Sequence, residues 1–364
     1  MKITMILPYL KAGGTERQAA YIVNYLKQKG HTVLTISVED EDFFEPHFKV
    51  PVQYLNSQNS FLFLVYNIYS IASIIKKNGT QILVSRAWTT NLLCTLVSMI
   101  TGIPNVLFLS ASLDMSNHSL IKKLIYRFML KKTDQIISVS EATRQNCIKW
   151  FDIQENKIKV IHNGVDINHI QELSKKPVEL PDELKDATPK LVFVGRLIHR
   201  KGLDVLINAL MNLKSSYQTQ LIVVGEGSKM NDYKVMCKDF EIESNVFFFG
   251  QKKNPFPYLN LGDIFILPSR SEGFPNILLE AMALGKTVIA ANCKNGPNEI
   301  IDKNNGTLVD VDDSEQLSLA ISSYLDNLKL AKNHGENAKK TVKNSFKLSD
   351  QLAKIEMTIT SLKE

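Results

Sequence analysis

Two glutamates separated by seven residues, Glu272 and Glu280, stand in SRSEGFPNILLEAMALG (residues 269–285). The first precedes a predicted helix and the second lies inside it, among Leu, Ala and Met. A carboxylate among apolar neighbours is costly unless something pairs with it. Pro275 suits the first helical position, so the helix is expected to begin near Asn276. The amides of Gly273, Phe274, Asn276 and Ile277 then face the strand end with the positive end of the helix dipole behind them. Glu280, four residues after Asn276, shares its helix face. Two carboxylates flanking an amide-lined anion site suit a diphosphate on the amides and pairs of vicinal hydroxyls on the carboxylates. A nucleotide sugar presents both. A dipole-stabilising Glu272 with a salt-bridged Glu280 is the structural alternative.

A second cluster carries the opposite charge. In VGRLIHRKG (194–202) Arg196 and Lys201 span a strand-to-helix turn, so both can point at one anion, Arg as a fork and Lys as a point charge. Two solvated surface cations are the alternative. Near the start, LKAGGTERQAA places Gly13 and Gly14 at a helix beginning, where free N–H groups can hold a phosphate. The spacing is not GxGxxG, so a dinucleotide reading is weak. VVGEGSK (223–229) and FFGQKKN (248–254) each end a strand on glycine, which lets backbone approach a flat ring closely.

Other patterns are excluded. LGKT (284–287) mimics the end of a phosphate-wrapping P-loop, but the position of its first glycine is Glu280. VEDED (38–42) and DVDD (310–313) read as solvated loops rather than metal ligands. The four cysteines, Cys94, Cys147, Cys237 and Cys293, fit no metal or redox spacing and read as buried thiols of a reducing cytoplasm.

The elements that must position these residues alternate. Short β-branched runs such as KITMILP, QILVS, KLVFVG and IFILP are separated by segments of helical period, which argues for βα units on parallel sheets. The expected fold is α/β, with two doubly wound domains at 1–167 and 190–345. A Pro-rich charged linker spans 168–189, and a last helix at 346–364 could pack back on the first domain. Ligands bind such sheets at the carboxyl ends of their strands, so a cleft between the domains is the expected site.

Of 43 Lys+Arg and 37 Asp+Glu, residues 1–170 hold 18 and 12, so the whole +6 net charge lies there. Much of it falls in HSLIKKLIYRFMLKK (118–132), where Leu120, Ile121, Leu124, Ile125 and Phe128 recur at helical spacing. Lys122, Lys123, Arg127, Lys131 and Lys132 mostly take the other face. A basic amphipathic helix of this kind can lie on an anionic membrane surface. No apolar run reaches the roughly 18–20 residues of a spanning helix, and the N-terminus lacks a signal-peptide pattern. The modest positive charge does not suit a nucleic-acid binder.

With these motifs in place, the chain resembles glycosyltransferase family four, retaining enzymes of the GT-B fold with two Rossmann-like domains. EGFPNILLEAMALG matches its E-x7-E motif, GRLIHRKG its cation motif, and VIHNGVD (160–166) the segment before its domain crossover. The AGG-x-ER start looks most like bacterial transferases that extend lipid-linked oligosaccharides and surface polysaccharides. The resemblance implies that Glu280 holds the ribose hydroxyls and that Glu272 holds the donor sugar near the reacting carbon. Arg196 and Lys201, with amides of Gly14 and residues 273–277, would stabilise the departing diphosphate. Gly250, Gln251 and Lys252 would face the base. No metal or cofactor is expected. The donor would be a UDP-sugar, with an N-acetylhexosamine or hexose moving to a polyprenyl-diphosphate-linked glycan at the inner face of the cytoplasmic membrane. A same-fold epimerase or a non-catalytic partner subunit is the competing reading. One departure stands out: Ser112 occupies the place where the family often has a histidine near the donor sugar, and His118 is the substitute to consider.

Overall fold

The computed structural model describes residues 1–10, 13–39, 48–55, 61–110, 113, 115–116 and 118–363. Its contacts divide the chain into two compact units, Met1–Asn163 with Ser349–Glu364, and Gly164–Leu348.

The first unit holds β1 (Lys2–Leu7), β2 (Thr32–Ser37), β3 (Val52–Tyr54), β4 (Ile82–Arg86), β5 (Asn105–Leu109), β6 (Gln135–Ser138) and β7 (Ile158–Val160). They form one parallel sheet in the order β3-β2-β1-β4-β5-β6-β7. Its helices are α1 (Gly14–Gln28), α2 (Phe61–Asn78), α3 (Trp88–Thr101), α4 (Leu120–Lys132) and α5 (Glu141–Phe151). β4 and β5 are buried along their whole length, as strands covered by helices on both faces must be. One core joins Ile6, Leu83, Leu107 and Ile136 of the sheet to Val97, Met129 and Phe151 of the helices.

The second unit holds α6 (Ile167–Ser174), β8 (Lys190–Val194), α7 (Leu203–Leu213), β9 (Gln220–Val224), α8 (Met230–Asp239), β10 (Val246–Phe248) and α9 (Phe256–Leu261). Then follow β11 (Ile264–Leu267), α10 (Asn276–Ala283), β12 (Thr287–Ala291), β13 (Thr307–Val309), α11 (Ser314–Asp326) and α12 (Leu328–Ser345). Its parallel sheet runs β10-β9-β8-β11-β12-β13. Each strand grows from one of the β-branched or aromatic runs of the sequence, and the α/β fold class with two parallel sheets is as expected. The stretch 168–189, expected as a linker, carries most of α6 and contributes its contacts to the second unit.

A last helix, α13 (Leu348–Thr360), is joined to the first unit by polar contacts. Gln351 Nε2 donates to Asn163 Oδ1 at 3.2 Å, and His31 Nε2 lies 3.1 Å from Glu356 Oε1.

Candidate functional site

In the second unit the winding reverses between β8 and β11, which are neighbours in the sheet although three strands apart in sequence order. Open parallel sheets bind ligands in the crevice beyond such a reversal. The loops after these two strands carry the cation tract and the first glutamate.

The loops touch backbone to backbone. Gly202 ends the 3₁₀ turn His199–Lys201 with φ +69, and a Cβ there would lie 2.0 Å from the Pro268 carbonyl oxygen. Only glycine allows both the dihedral and the approach. From that contact Lys201 Nζ reaches Glu272 Oε1 at 2.6 Å, and Arg200 Nη1 lies 3.8 Å from Glu272 Oε2. Arg200 also donates to the Ser271 carbonyl. Arg270 fastens the glutamate loop from behind, binding Asp204 Oδ1 at 2.9 Å and Asp312 Oδ1 at 2.6 Å. Burial alone would push the Asp204 carboxyl up, but the hydrogen bond and charge of Arg270 outweigh it and hold it below the usual range.

Glu272 is 7% exposed and Glu280 4%. The helix α10 carries Glu280, starts at Asn276, and has no side-chain cap. Pro275 is the cap residue rather than the first helical one, because its ψ of 98 is still extended. Gly273 and Phe274 are buried, and Asn276 and Ile277 half-buried, at this helix start. The segment after β12 walls it off. Gly296 has φ +89, and a Cβ there would come within 2.7 Å of Pro275 Cδ and 3.1 Å of Phe274 Cα. Beside it, burial first and the Glu272 charge second push the Cys293 thiol up to about 11.

The loops after β8, β9 and β10 are hydrogen-bonded to one another. Gly195 N–H donates to Val224 O at 3.0 Å, Leu197 N–H to Glu226 O at 2.8 Å, and Gly225 N–H to Gly250 O at 2.9 Å. Gln251 N–H adds a bond to Glu226 Oε1 at 3.2 Å. Gly250 is thus fixed beside the cation loop, with Gln251 and Lys252 exposed.

Lys201, Glu272, Glu280 and the start of α10 therefore form one locus. Arg196 belongs to the same loop but is exposed, and none of the described residues forms an ion pair with it. Arg200 stands with Lys201 at Glu272 instead, and sequence reasoning missed it. Nothing in the spacing marks it, because a 3₁₀ turn decides which of three consecutive basic residues faces the glutamate. The Gly296 wall was also missed, although Asn-Gly-Pro after a strand was a usable turn signal.

Gly14 opens α1 in the first unit. His118 is exposed near the start of α4, its N–H bonded to Met115 O at 3.1 Å and its Nδ1 3.4 Å from Lys122 Nζ. It meets no other candidate residue among those described. Ser112 lies outside the described residues, as do Asp40, Glu41 and Asp42. In the DVDD stretch Asp312 pairs with Arg270 and Asp313 caps α11. Among the described residues no three His, Cys, Asp or Glu group as metal ligands. No described helix is long and apolar enough to cross a membrane.

Helix α4 carries two apolar faces, one buried and one exposed. Tyr126, Met129 and Leu130 are the buried face, with Tyr126 stacked on Trp88 at 4.2 Å. Leu120, Ile121, Leu124 and Phe128 face outward, 71%, 72%, 56% and 40% exposed. Arg127, Lys131 and Lys132 are exposed beside them.

Two parallel-sheet α/β units with these strand-end loops define the class as a GT-B protein. Over 100% of this chain and 99% of its own, a glycosyltransferase structure from Rickettsia africae superposes with a TM-score of 0.84 at 25% identity. Residues 12–169 match the model described as Glycosyltransferase Family 4, and residues 177–341 the model of group 1 glycosyl transferases. The chain belongs to glycosyltransferase family four.

It is 27% identical over 66% of its length, and 63% of the relative's, to a Campylobacter jejuni enzyme. That protein is named N-acetylgalactosamine-N,N'-diacetylbacillosaminyl-diphospho-undecaprenol 4-alpha-N-acetylgalactosaminyltransferase. It is 25% identical over 79% of its length, and 77% of the relative's, to an Escherichia coli UDP-Gal:alpha-D-GlcNAc-diphosphoundecaprenol alpha-1,3-galactosyltransferase. For several of the curated relatives it matches, the chain spans only 46% to 63% of their length.

Proposed function

We propose that this protein is a retaining, metal-independent glycosyltransferase. It moves a hexose or N-acetylhexosamine from a UDP-sugar to a polyprenyl-diphosphate-linked glycan at the inner face of the cytoplasmic membrane. The observation that carries this reading is the Lys201–Glu272 pair at 2.6 Å, set at the β8/β11 reversal beside the uncapped start of α10. Preplaced cations and helix N–H groups are what a departing diphosphate needs, because its charge grows as the glycosidic bond to the sugar breaks. Lys201, Arg200 and Arg196 supply the cations. Glu272 orients Lys201 and accepts from donor-sugar hydroxyls, Glu280 accepts from the ribose, and Gly250, Gln251 and Lys252 border the base. Retention follows when the acceptor attacks the face that the nucleotide leaves, with the leaving phosphate accepting its proton.

The acceptor class is supported by the two relatives, whose names specify undecaprenyl-diphosphate-linked substrates. The exposed apolar residues of α4, rimmed by Arg127, Lys131 and Lys132, support docking on an anionic membrane. A thermal-shift panel of UDP-, GDP- and ADP-sugars with and without EDTA tests the donor. Saturation near 100 times Kd stabilises by about 2.7 kcal/mol. A selective, EDTA-insensitive shift with one UDP-sugar is expected. No shift with any nucleotide would refute the donor site.

A further inference from the structure

Arg270 lies in the loop after β11, two residues before Glu272, and its side chain is 17% exposed. Two carboxylates grip it. Asp204, in the first turn of α7, accepts from Nη1 on Oδ1 at 2.9 Å and from Nη2 on Oδ2 at 2.5 Å. Asp312 Oδ1 takes Nε at 2.6 Å. Nη1 also donates to the His199 carbonyl, so the guanidinium fork is occupied within the protein. An arginine engaged in this way is not built to take a phosphate. It holds other residues in place.

What it holds is the turn His199–Lys201. Side chains on a 3₁₀ turn leave the axis about 120° apart, so rotation of the turn decides which basic residue meets the glutamate. The turn's own closing bonds are Lys201 N–H to Ile198 O at 2.9 Å and Gly202 N–H to His199 O at 3.1 Å. Arg270 grips two consecutive carbonyls of it, His199 O through Nη1 and Arg200 O through its backbone N–H at 2.9 Å. The turn cannot rotate without breaking both. In this setting Lys201 Nζ stands 2.6 Å from Glu272 Oε1, Arg200 3.8 Å from Oε2, and His199 is exposed. Asp312 extends the grip to the turn after β13, which carries none of the candidate donor-site residues. Its φ is +65, a dihedral that glycine holds at less cost, so the aspartate brings a carboxylate to a backbone that favours glycine.

We propose that Arg270, gripped by Asp204 and Asp312, sets the rotation of the His199–Lys201 turn and so puts Lys201 on Glu272. It acts through Lys201 rather than on a substrate, and is a positioning residue. Its effect on turnover rests on the proposed function; its hold on Lys201 does not.

The test is acetylation of the whole protein by limiting acetic anhydride, read for each lysine by mass spectrometry and referenced to the exposed Lys303. Glu272→Gln sets the rate of an unpaired Lys201. Arg270→Lys keeps the charge but loses the fork. It should raise Lys201 acetylation toward that rate, by about tenfold, as for loss of one charge-assisted hydrogen bond. Asp312→Gly relieves the dihedral, so its urea midpoint should hold or rise. Lys201 acetylation should still increase in it by about threefold. UDP release from UDP-glucose and UDP-N-acetylglucosamine reads the kinetic consequence. In Arg270→Lys kcat should fall by at least about tenfold while donor KM moves less, since a small misplacement of a reacting group is costly. Lys201 acetylation within about twofold of wild type in folded Arg270→Lys overturns the proposal, whatever happens to stability. Should Arg270→Lys fail to fold, unchanged Lys201 acetylation in Asp312→Gly overturns it. If wild type releases no UDP while Lys201 responds as expected, the proposed function falls and the positioning role stands.

Discussion

At the β8/β11 strand ends a lysine meets a carboxylate at 2.6 Å, with a second cation 3.8 Å from the other oxygen. At the β1/β4 ends Arg86 is more deeply buried, yet two of its nitrogens lack a partner. Both cations sit where a doubly wound sheet reverses. The first is held ready by the protein's own anion, whereas the second has one hydroxyl bond and the more distant charge of Glu16. The difference predicts opposite responses to removal. Deleting a paired charge strands its partner, while deleting an unmatched one relieves a desolvation cost.

The largest effect is expected for Lys201→Ala. Turnover should fall by about 10²–10³, as for loss of one preorganised charge-stabilising donor. Acceptor KM should move far less. Leaving Glu272 with only Arg200 at 3.8 Å should also lower stability by about 2 kcal/mol, readable from a urea midpoint. Turnover within a few-fold of wild type would make the cation pair structural. Glu280→Gln comes next: a neutral amide accepts more weakly from hydroxyls, so donor affinity should drop by about tenfold at unchanged fold. Unaltered donor binding in a folded variant would remove Glu280 from the ribose.

Arg86→Met sharpens the contrast. Its net downward shift means that the folded state disfavours its charge. The variant should therefore be as stable as wild type or more stable by about 1 kcal/mol. A loss comparable to that of Lys201→Ala would erase the distinction between the two strand ends.

The sequence made the second unit's strand ends more legible than the first's for a physical reason. Glu272, Glu280 and Lys201 lie on short turns and one helix, where spacing nearly determines direction. The β-branched runs likewise announced their strands, because a buried parallel strand needs little besides apolar bulk. Arg200 and Gly296 were hidden because their roles depend on which loops meet. Arg86 was hidden because SRAW carries no pattern: its burial shows only once the Phe108 ring and Ser110 stand over its guanidinium. Helix α4 shows the limit of periodicity. It has two apolar stripes, Tyr126-Met129-Leu130 and Leu120-Ile121-Leu124-Phe128, and period alone cannot say which one the sheet takes. Stacking of Tyr126 between Trp88 and Phe151 decides it.

The outward stripe gives a smaller effect. Leu120→Glu with Leu124→Glu should leave the melting curve within about 0.5 kcal/mol, since both side chains are exposed. Sedimentation with anionic vesicles should fall several-fold, because apolar area is lost and like charge added. Unchanged vesicle binding would detach α4 from the membrane.

The smallest effect contrasts the units through their thiols. Burial raises Cys94 and Cys147 of the first unit to about 12, and Cys237 and Cys293 of the second to about 11, from an ordinary 9.0. Folding thus keeps protons that the unfolded chain releases, so stability present below about pH 9 should decline as pH rises toward these values. All four thiols are buried, so alkylation of the native protein at pH 8 should be negligible and become complete in denaturant. Cys293 is the informative one, since its shift includes the Glu272 charge as well as burial. In Glu272→Gln that contribution disappears, so Cys293 should titrate lower while Cys94 and Cys147 stay fixed. Equal thiol titration curves in variant and wild type would place the Glu272 carboxylate elsewhere and loosen the strand-end pairing on which the comparison depends.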